Sequence, residues 1–291
     1  MRKVPIYEKG GVISELGAEY CTVRLRIPAG LITLDQMEGV VTIARKYQAD
    51  VHLTTRQTME LVHVDPVKLE SLVSDLAENG TPIGAEKAEI VNITACPGTE
   101  RCRYAMVDSI SLAKTLDEKF FGKEMPVKFR IAVSSCPNSC VSERLNEIGI
   151  TGVVRPYRVP GTCTGCGTCV QYCKEKAIVI KNGQIVLDEG KCVHCGMCIQ
   201  SCPFHIIKSE PAAYHITIGG KRGRHPRVGY HVVTVKTPET VVKVVELVVK
   251  WVYRKAWSDS LLPDQLDILD FESFKKELVA GLDEEEMVTG Y

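Results

Sequence analysis

Apolar and polar residues alternate over residues 20–28 (YCTVRLRIP), the period of a half-buried strand, and Gly30 punctuates its end. The period then changes. Thr33 and Gln36 form a capping-box pattern, and Leu34, Met37, Val40, Val41, Ile43 and Ala44 recur at helical spacing, which predicts an amphipathic helix. Residues 51–55 and 59–64 read as two more strands, and Pro66 after Asp65 starts a helix running to about residue 76. The order strand, helix, two strands, helix describes an α+β layer with helices on one face of an antiparallel sheet.

Beyond the turn residues Asn79-Gly80-Thr81-Pro82, residues 89–94 read as a strand that ends at Cys96-Pro97-Gly98, and a helix is expected over 102–116. Residues 126–133 (PVKFRIAV) alternate strongly and run into Ser135-Cys136-Pro137-Asn138-Ser139-Cys140, with a second helix expected through residue 145. Within 177–187, Asn182-Gly183 between two short apolar runs is a hairpin signal. Strand periodicity resumes at 214–218, followed by the glycine-rich basic loop Gly219-Gly220-Lys221-Arg222-Gly223-Arg224. Helices are expected at 238–257 and 271–280, and disorder only at the acidic end, 283–286.

Composition narrows the class. The 291 residues give room for about two domains, and 45% apolar with 25% charged residues is a soluble globular composition. With 36 basic and 36 acidic residues the net charge is zero, so no long-range field gathers nucleic acid or an anionic membrane; any anion site must be local. The N-terminal stretch MRKVPIYEKGGVISELG has no apolar core of a leader. The most apolar later stretch, 240–252, is broken by Lys243, Glu246 and Lys250, so no membrane span is expected and the chain reads as cytoplasmic. In a reducing compartment thirteen cysteines, an odd number, point to metal ligation before disulfides.

Eight of those cysteines fall in two copies of one spacing, Cys163-x2-Cys166-x2-Cys169-x3-Cys173 and Cys192-x2-Cys195-x2-Cys198-x3-Cys202, with Pro203 after the second. This is the bacterial two-cluster ferredoxin pattern, in which the fourth cysteine of each block ligates the other cluster. Cys163, Cys166, Cys169 and Cys202 are then expected to hold one 4Fe-4S cluster, and Cys192, Cys195, Cys198 and Cys173 the other. Two structural zinc sites are the alternative, but zinc needs no block of three cysteines with a distant fourth. A further set, Cys96-x5-Cys102 and Cys136-x3-Cys140, sits on two loops expected at strand-to-helix junctions. Its spacing alone leaves iron-sulfur, zinc and buried packing cysteines open. Cys21 belongs to no set and reads as a packing residue, and the seven histidines show no ligand spacing.

The neighbours of the second set carry more. Thr54-Thr55-Arg56-Gln57-Thr58, Ala95-Cys96-Pro97-Gly98, Lys128-Phe129-Arg130 and Cys136-Pro137-Asn138-Ser139-Cys140 together resemble the sirohaem-dependent sulfite and nitrite reductase family. Within it the chain is most similar to the compact single-repeat members, the anaerobic sulfite reductase C subunit and the small dissimilatory-type reductases, which carry a ferredoxin domain after the last sirohaem-cluster cysteine. The resemblance implies a ferredoxin-like half-domain over 1–80, a sirohaem and 4Fe-4S α+β domain over 81–155 and 210–291, and a two-cluster 4Fe-4S ferredoxin insert over 156–209.

It also implies roles. Cys96, Cys102, Cys136 and Cys140 should hold the catalytic 4Fe-4S cluster, with Cys140 bridging to the sirohaem iron. Arg56, Lys128 and Arg130 should face the oxyanion; Lys128 and Arg130 alternate along a strand and can point the same way. Family members often carry another distal arginine four or five residues before the first cluster cysteine, where this chain has Val91 and Asn92, so Arg101 or Arg103 is the candidate replacement. Lys221, Arg222 and Arg224 are the expected partners of the sirohaem carboxylates. The implied function is six-electron reduction of sulfite to sulfide with sirohaem and three 4Fe-4S clusters. Nitrite reduction to ammonia and a haem-free electron-transfer subunit are the alternatives. No Gly-x-Gly-x-x-Gly follows a strand, so electrons are expected from separate donor subunits, a ferredoxin or a flavoprotein. A second copy or a related subunit is expected to complete the two-fold arrangement that larger members hold in one chain.

Overall fold

The computed structural model describes residues 10–17, 19–159, 163–258 and 260–288. Residues 1–9, on which the leader reading and the start of the 1–80 region partly fall, lie outside these, as do 160–162 of the 156–209 region and 289–291 at the end. Strands β1 (Val12–Ser14), β2 (Cys21–Arg24), β3 (Asp50–Leu53) and β4 (Met59–Val64) form an antiparallel sheet in the order β1-β2-β4-β3. Helices α1 (Leu34–Tyr47) and α2 (Leu69–Glu78) share one core with it. The capping box is present: Gln36 N–H donates to Thr33 Oγ1 (3.2 Å) and Thr33 N–H to Gln36 Oε1 (3.1 Å). Of the expected α1 stripe only Val40, Ile43 and Ala44 are buried, with Tyr47; Leu34, Met37 and Val41 face outward. Cys21 is buried in β2, and burial pushes its thiol up to about 11.

The next region departs further from periodicity. The expected strand at 89–94 survives only as single bridges at Glu89 and Ile90 and the two-residue β5 (Thr94–Ala95). The helix expected from Cys102 is α3 (Ser109–Phe120), because Asp108 is the better N-cap, its carboxylate accepting from Ile110 N–H (3.1 Å) and Ser111 N–H (3.0 Å). Strand β6 (Ile131–Ser134) is the buried end of the alternating segment. No α-helix follows Cys140; a single 3-10 turn at Glu143–Leu145 leads into β7 (Ile148–Val153), which is buried at every position and so shows no alternation to read.

Residues 156–209 form β8 (Pro156–Arg158), α4 (Thr168–Tyr172), the hairpin β9 (Ile178–Lys181) and β10 (Gln184–Leu187), α5 (Met197–Ser201) and β11 (Ile207–Ser209). Asn182 and Gly183, both left-handed (φ 51° and 72°), make the hairpin turn, and β8 pairs with β11 to close the segment. Its own small core includes Cys169, Ile178, Cys198, Cys202 and Ile207.

Strands β12 (Ala213–Ile218) and β13 (Tyr230–Val235) complete the large sheet, ordered β13-β12-β7-β6-β5. It is mixed: β5, β6 and β7 run parallel, and β12 is antiparallel to both neighbours. Helix α6 (Pro238–Lys255) presents Val241, Val244, Val245, Val248 and Val252 to the core, each side chain contributing about 1.5–3 kcal/mol on burial. After the short α7 (Leu262–Gln265), α8 (Phe271–Ala280) stacks Phe274 on Trp251 of α6, ring centroids 4.5 Å apart. The acidic end is ordered, contrary to expectation. Residues Glu284–Glu286 form a capped turn, and Lys243 pairs with Glu286 at 2.9 Å. Among the described residues no helix is long and apolar enough to cross a membrane.

Candidate functional site

A cavity of about 390 Å3 opens where the two sheets meet, lined among others by Arg56, Asn92, Arg130, Cys140 and Arg222. The turn between β3 and β4 supplies Arg56 and is fastened to the cysteine loop by its neighbour. Gln57 donates from Nε2 to Ala95 O (2.6 Å) and accepts at Oε1 from Ala95 N–H (2.8 Å), immediately before Cys96. Arg130, just before β6, is held rigidly by Glu147, which accepts from its backbone N–H (2.9 Å), its Nε (2.8 Å) and its Nη2 (2.6 Å). Glu147 is 1% exposed, and this pairing lifts the guanidinium above its ordinary pKa.

Positive charge is in excess here. Glu86 faces Arg24, Arg56 (2.5 Å) and Lys128, so one carboxylate is shared by three cations, while Glu60 pairs with Arg24. Arg24, Arg56, Arg130 and Arg222, joined by Lys128 when it is protonated, outnumber the three carboxylates of Glu60, Glu86 and Glu147. The surplus shows in the titration. Burial, then the charges of Arg56, Arg24 and Arg130, push Lys128 down to about 7, and burial with Arg24 and Arg130 brings Arg56 down to about 10. An anion in the cavity relieves that repulsion.

The placement of the sequence candidates is uneven. Arg56, Arg130, Cys140 and Arg222 line the cavity. Lys128 does not reach its wall and stands behind Glu86. Lys221 is turned away to Asp264, at 2.8 Å from both carboxylate oxygens, and Arg224 is exposed in the loop. Arg103 stacks over Tyr104, 4.7 Å from the ring centroid, and Arg101 is exposed; neither takes the place left by Val91 and Asn92, which themselves line the cavity. Asn92, 5% exposed, has an unpartnered Oδ1, and Arg222 an unpartnered Nε. Unmet buried polar atoms at a cavity wall suit a polar ligand. Sequence reasoning missed Arg24, Glu86 and Glu147, because charge pairing across distant segments leaves no local pattern.

The thiols gather in three groups. Cys136 is pushed up by burial and by the facing Cys96, Cys102 and Cys140. For Cys96 burial acts upward too, but hydrogen bonding with the Ser109 and Ser135 hydroxyls and from the Ser135 N–H outweighs it and holds the thiol below its ordinary value. In the 156–209 segment, Cys169 is raised by burial, Cys202 and Cys166, whereas Cys192 is raised by burial, Cys195 and Cys173. Cys198 is pushed up to about 12 by burial, Cys195 and Cys192. Each block's last cysteine thus faces the other block. Among the described residues no three His, Cys, Asp or Glu side chains converge on one point as a single metal ion needs.

The nitrite and sulphite reductase 4Fe-4S domain matches residues 86–285, and the nitrite/sulfite reductase ferredoxin-like half domain matches 14–79. The chain belongs to the nitrite and sulphite reductase family. The coenzyme F420-dependent sulfite reductase of Methanocaldococcus jannaschii is 36% identical over 208 residues, 72% of this chain; the chain spans only 33% of that relative's length. The anaerobic sulfite reductase C subunit of Salmonella typhimurium is 29% identical over 243 residues, 77% of this chain and 72% of the relative. The crystal structure of dissimilatory sulfite reductase I superposes with a TM-score of 0.73 at 18% identity, covering 94% of this chain and 72% of that one, and shows the shared fold. In this family member the half domain meets the 4Fe-4S domain through Gln57 and through Arg26, whose guanidinium grips Asp117 at the end of α3 (2.6 and 2.8 Å).

Proposed function

We propose that this chain is a cytoplasmic sulfite reductase that adds six electrons to sulfite at the cavity of Arg56, Arg130 and Cys140. The observation that carries the proposal is the coincidence at one cavity of an exposed cysteine thiol from a four-cysteine group with a surplus of positive charge suited to an oxyanion. The residues fit sirohaem and a 4Fe-4S cluster: Cys96, Cys102, Cys136 and Cys140 would hold the cluster, Cys140 would reach the haem iron, and Arg222, with its unpartnered Nε, would meet a carboxylate. When bound, sirohaem supplies an iron that takes the anion and passes electrons to it.

The chain's own groups do the rest. Arg130 presents a guanidinium already fixed in direction by Glu147, which favours a developing oxyanion with little reorganisation. Arg56 shares Glu86 with Lys128, so an arriving anion competes with one carboxylate for both cations. Lys128, held down to about 7 by burial and by the neighbouring cations, stands outside the cavity wall and sets the charge around the site without touching the anion.

Residues 156–209 then act as the two-cluster ferredoxin insert through which electrons enter. Support for the route comes from its contacts. Val154 N–H donates to His194 O (3.0 Å), Gln200 Nε2 to Arg103 O (3.1 Å), and a Cβ on Gly196 would lie 2.9 Å from Val154 and 3.1 Å from Met106. The Cys192 to Cys198 block is therefore seated on the loop after Cys102, while exposed Cys166 marks the outer block, open to a donor subunit, a ferredoxin or a flavoprotein. The assembly is completed by a second copy or by a related subunit. The test is anaerobic turnover of purified enzyme with a reduced dye, comparing kcat/KM for sulfite and nitrite and measuring sulfide. Sulfide in a ratio of one per six electrons supports the proposal; a clear preference for nitrite with ammonia as product replaces sulfite as the substrate, and no reduction of either anion overturns the enzyme reading.

A further inference from the structure

Cys140 reaches the cavity from a turn that is held from behind. Ser139 and Ser142, on either side of it, are both left-handed (φ 54° and 52°), a conformation that non-glycine residues keep only where their surroundings impose it. The restraint is Glu143. Its side chain is fully buried, and each carboxylate oxygen accepts one hydroxyl: Ser139 Oγ donates to Oε2 (2.7 Å) and Thr151 Oγ1, on β7, to Oε1 (2.8 Å). Backbone bonds tighten the same turn, from Ser142 N–H to Ser139 O (2.8 Å) and from Asn146 N–H to Glu143 O (3.1 Å).

The turn has no room to shift. A Cβ on Gly149 of β7 would come within 2.5 Å of Glu143 O, and one on Gly220 within 2.3 Å of Arg144 O, so two glycines let the turn press against the sheet and the basic loop. On the far side of the cysteine, Arg222 donates from Nη2 to Val141 O (2.8 Å). Cys140 is thus tethered through both neighbours, by Glu143 at Ser139 and by Arg222 at Val141. Glu143 lines no part of the cavity and belongs to none of the cysteine groups. The buried carboxylate is offset in charge by Arg144, whose Nε lies 3.7 Å from Oε1, and its two hydroxyl hydrogen bonds give it direction.

We infer that Glu143 is a positioning residue for Cys140: by pinning Ser139 to β7 it fixes the direction in which the Cys140 thiolate faces the cavity. The inference rests on the proposed bond between Cys140 and the haem iron, since only such a bond makes that direction matter for turnover. Loss of the side chain releases Ser139 from β7 and lets the thiolate swing. Glutamine keeps a heavy atom at both acceptor positions, and the two hydroxyls reorient to match its amide.

The experiment compares anaerobically purified wild-type holoenzyme with Glu143→Ala, Glu143→Gln and Ser139→Ala by visible and EPR spectroscopy, iron and haem content, and steady-state kinetics. Glu143→Ala is expected to keep its iron, hold KM within about twofold, lose at least tenfold in kcat, and show separate haem and cluster signals where the wild type shows a coupled one. Glu143→Gln should recover to within about threefold of wild-type kcat. If Glu143→Ala does not fold, Ser139→Ala, which removes only the contact next to Cys140, should show the same separated signals. A wild-type coupled spectrum with unchanged kcat in Glu143→Ala, or in Ser139→Ala, overturns the inference while leaving the reductase reading intact; absence of coupling in the wild type itself overturns both.

Discussion

Discharging Lys128 should weaken the anion site across a narrow pH range. Its ammonium is held down to about 7 by burial and by Arg56, Arg24 and Arg130, so at pH 6 about nine-tenths of it is charged and at pH 8 about one-tenth. If productive sulfite binding needs that charge, kcat/KM falls about tenfold between these values, equivalent to about 1.4 kcal/mol. The native state also binds this proton more weakly than the unfolded chain does. The same residue therefore makes stability rise as pH increases from about 7 toward the ordinary lysine value of 10.5. Sulfite titrates too, and a control is built in: Lys128→Arg keeps a guanidinium charged throughout. The ratio of wild-type to Lys128→Arg kcat/KM cancels the substrate's ionisation and should fall about tenfold from pH 6 to pH 8. A ratio that stays flat over that range refutes the role assigned to Lys128.

Three other predictions test separate parts of the site. Gln57→Ala removes both hydrogen bonds to Ala95 and should cost about 1–3 kcal/mol in denaturant unfolding, with loss of iron from the Cys96 group before the 156–209 segment. Glu147→Ala strips Arg130 of its bidentate partner and should destabilise the fold by about 3–5 kcal/mol and raise KM for sulfite more than it lowers kcat, measured by melting and kinetics. Cys166→Ser should remove about a third of the iron and abolish turnover with a protein donor. Turnover with a small reduced dye that reaches the cavity directly should persist; equal loss with both reductants contradicts the assigned electron route.

Several elements could be read from local chemistry. The Thr33 and Gln36 capping box, the β9–β10 turn at Asn182 and Gly183, and the valine stripe of α6 each specify their element within a few residues. Strand β7 could not be read this way, since a strand buried on both faces has no alternation, and β5 is two residues long because its neighbours pair only by single bridges. The helix expected after Cys140 failed for a related reason: the residues there serve Glu143, Asn146 and the cysteine turn instead of a helical ladder. The cysteine spacing and the Arg56 motif pointed to the cavity. Lys221, Arg224, Arg101 and Arg103 did not arrive there because Asp264, Tyr104 and solvent hold them elsewhere, and the decisive pairings through Glu86 and Glu147 join positions more than ten residues apart.

The most direct test of the central claim is cofactor stoichiometry with spectroscopy on protein purified anaerobically from cells that make sirohaem. The account predicts one sirohaem and about thirteen iron atoms per chain, twelve in three 4Fe-4S clusters and one in the haem, with visible and EPR signals that change when sulfite is added. Protein carrying no extractable tetrapyrrole, or with signals indifferent to sulfite, would contradict it.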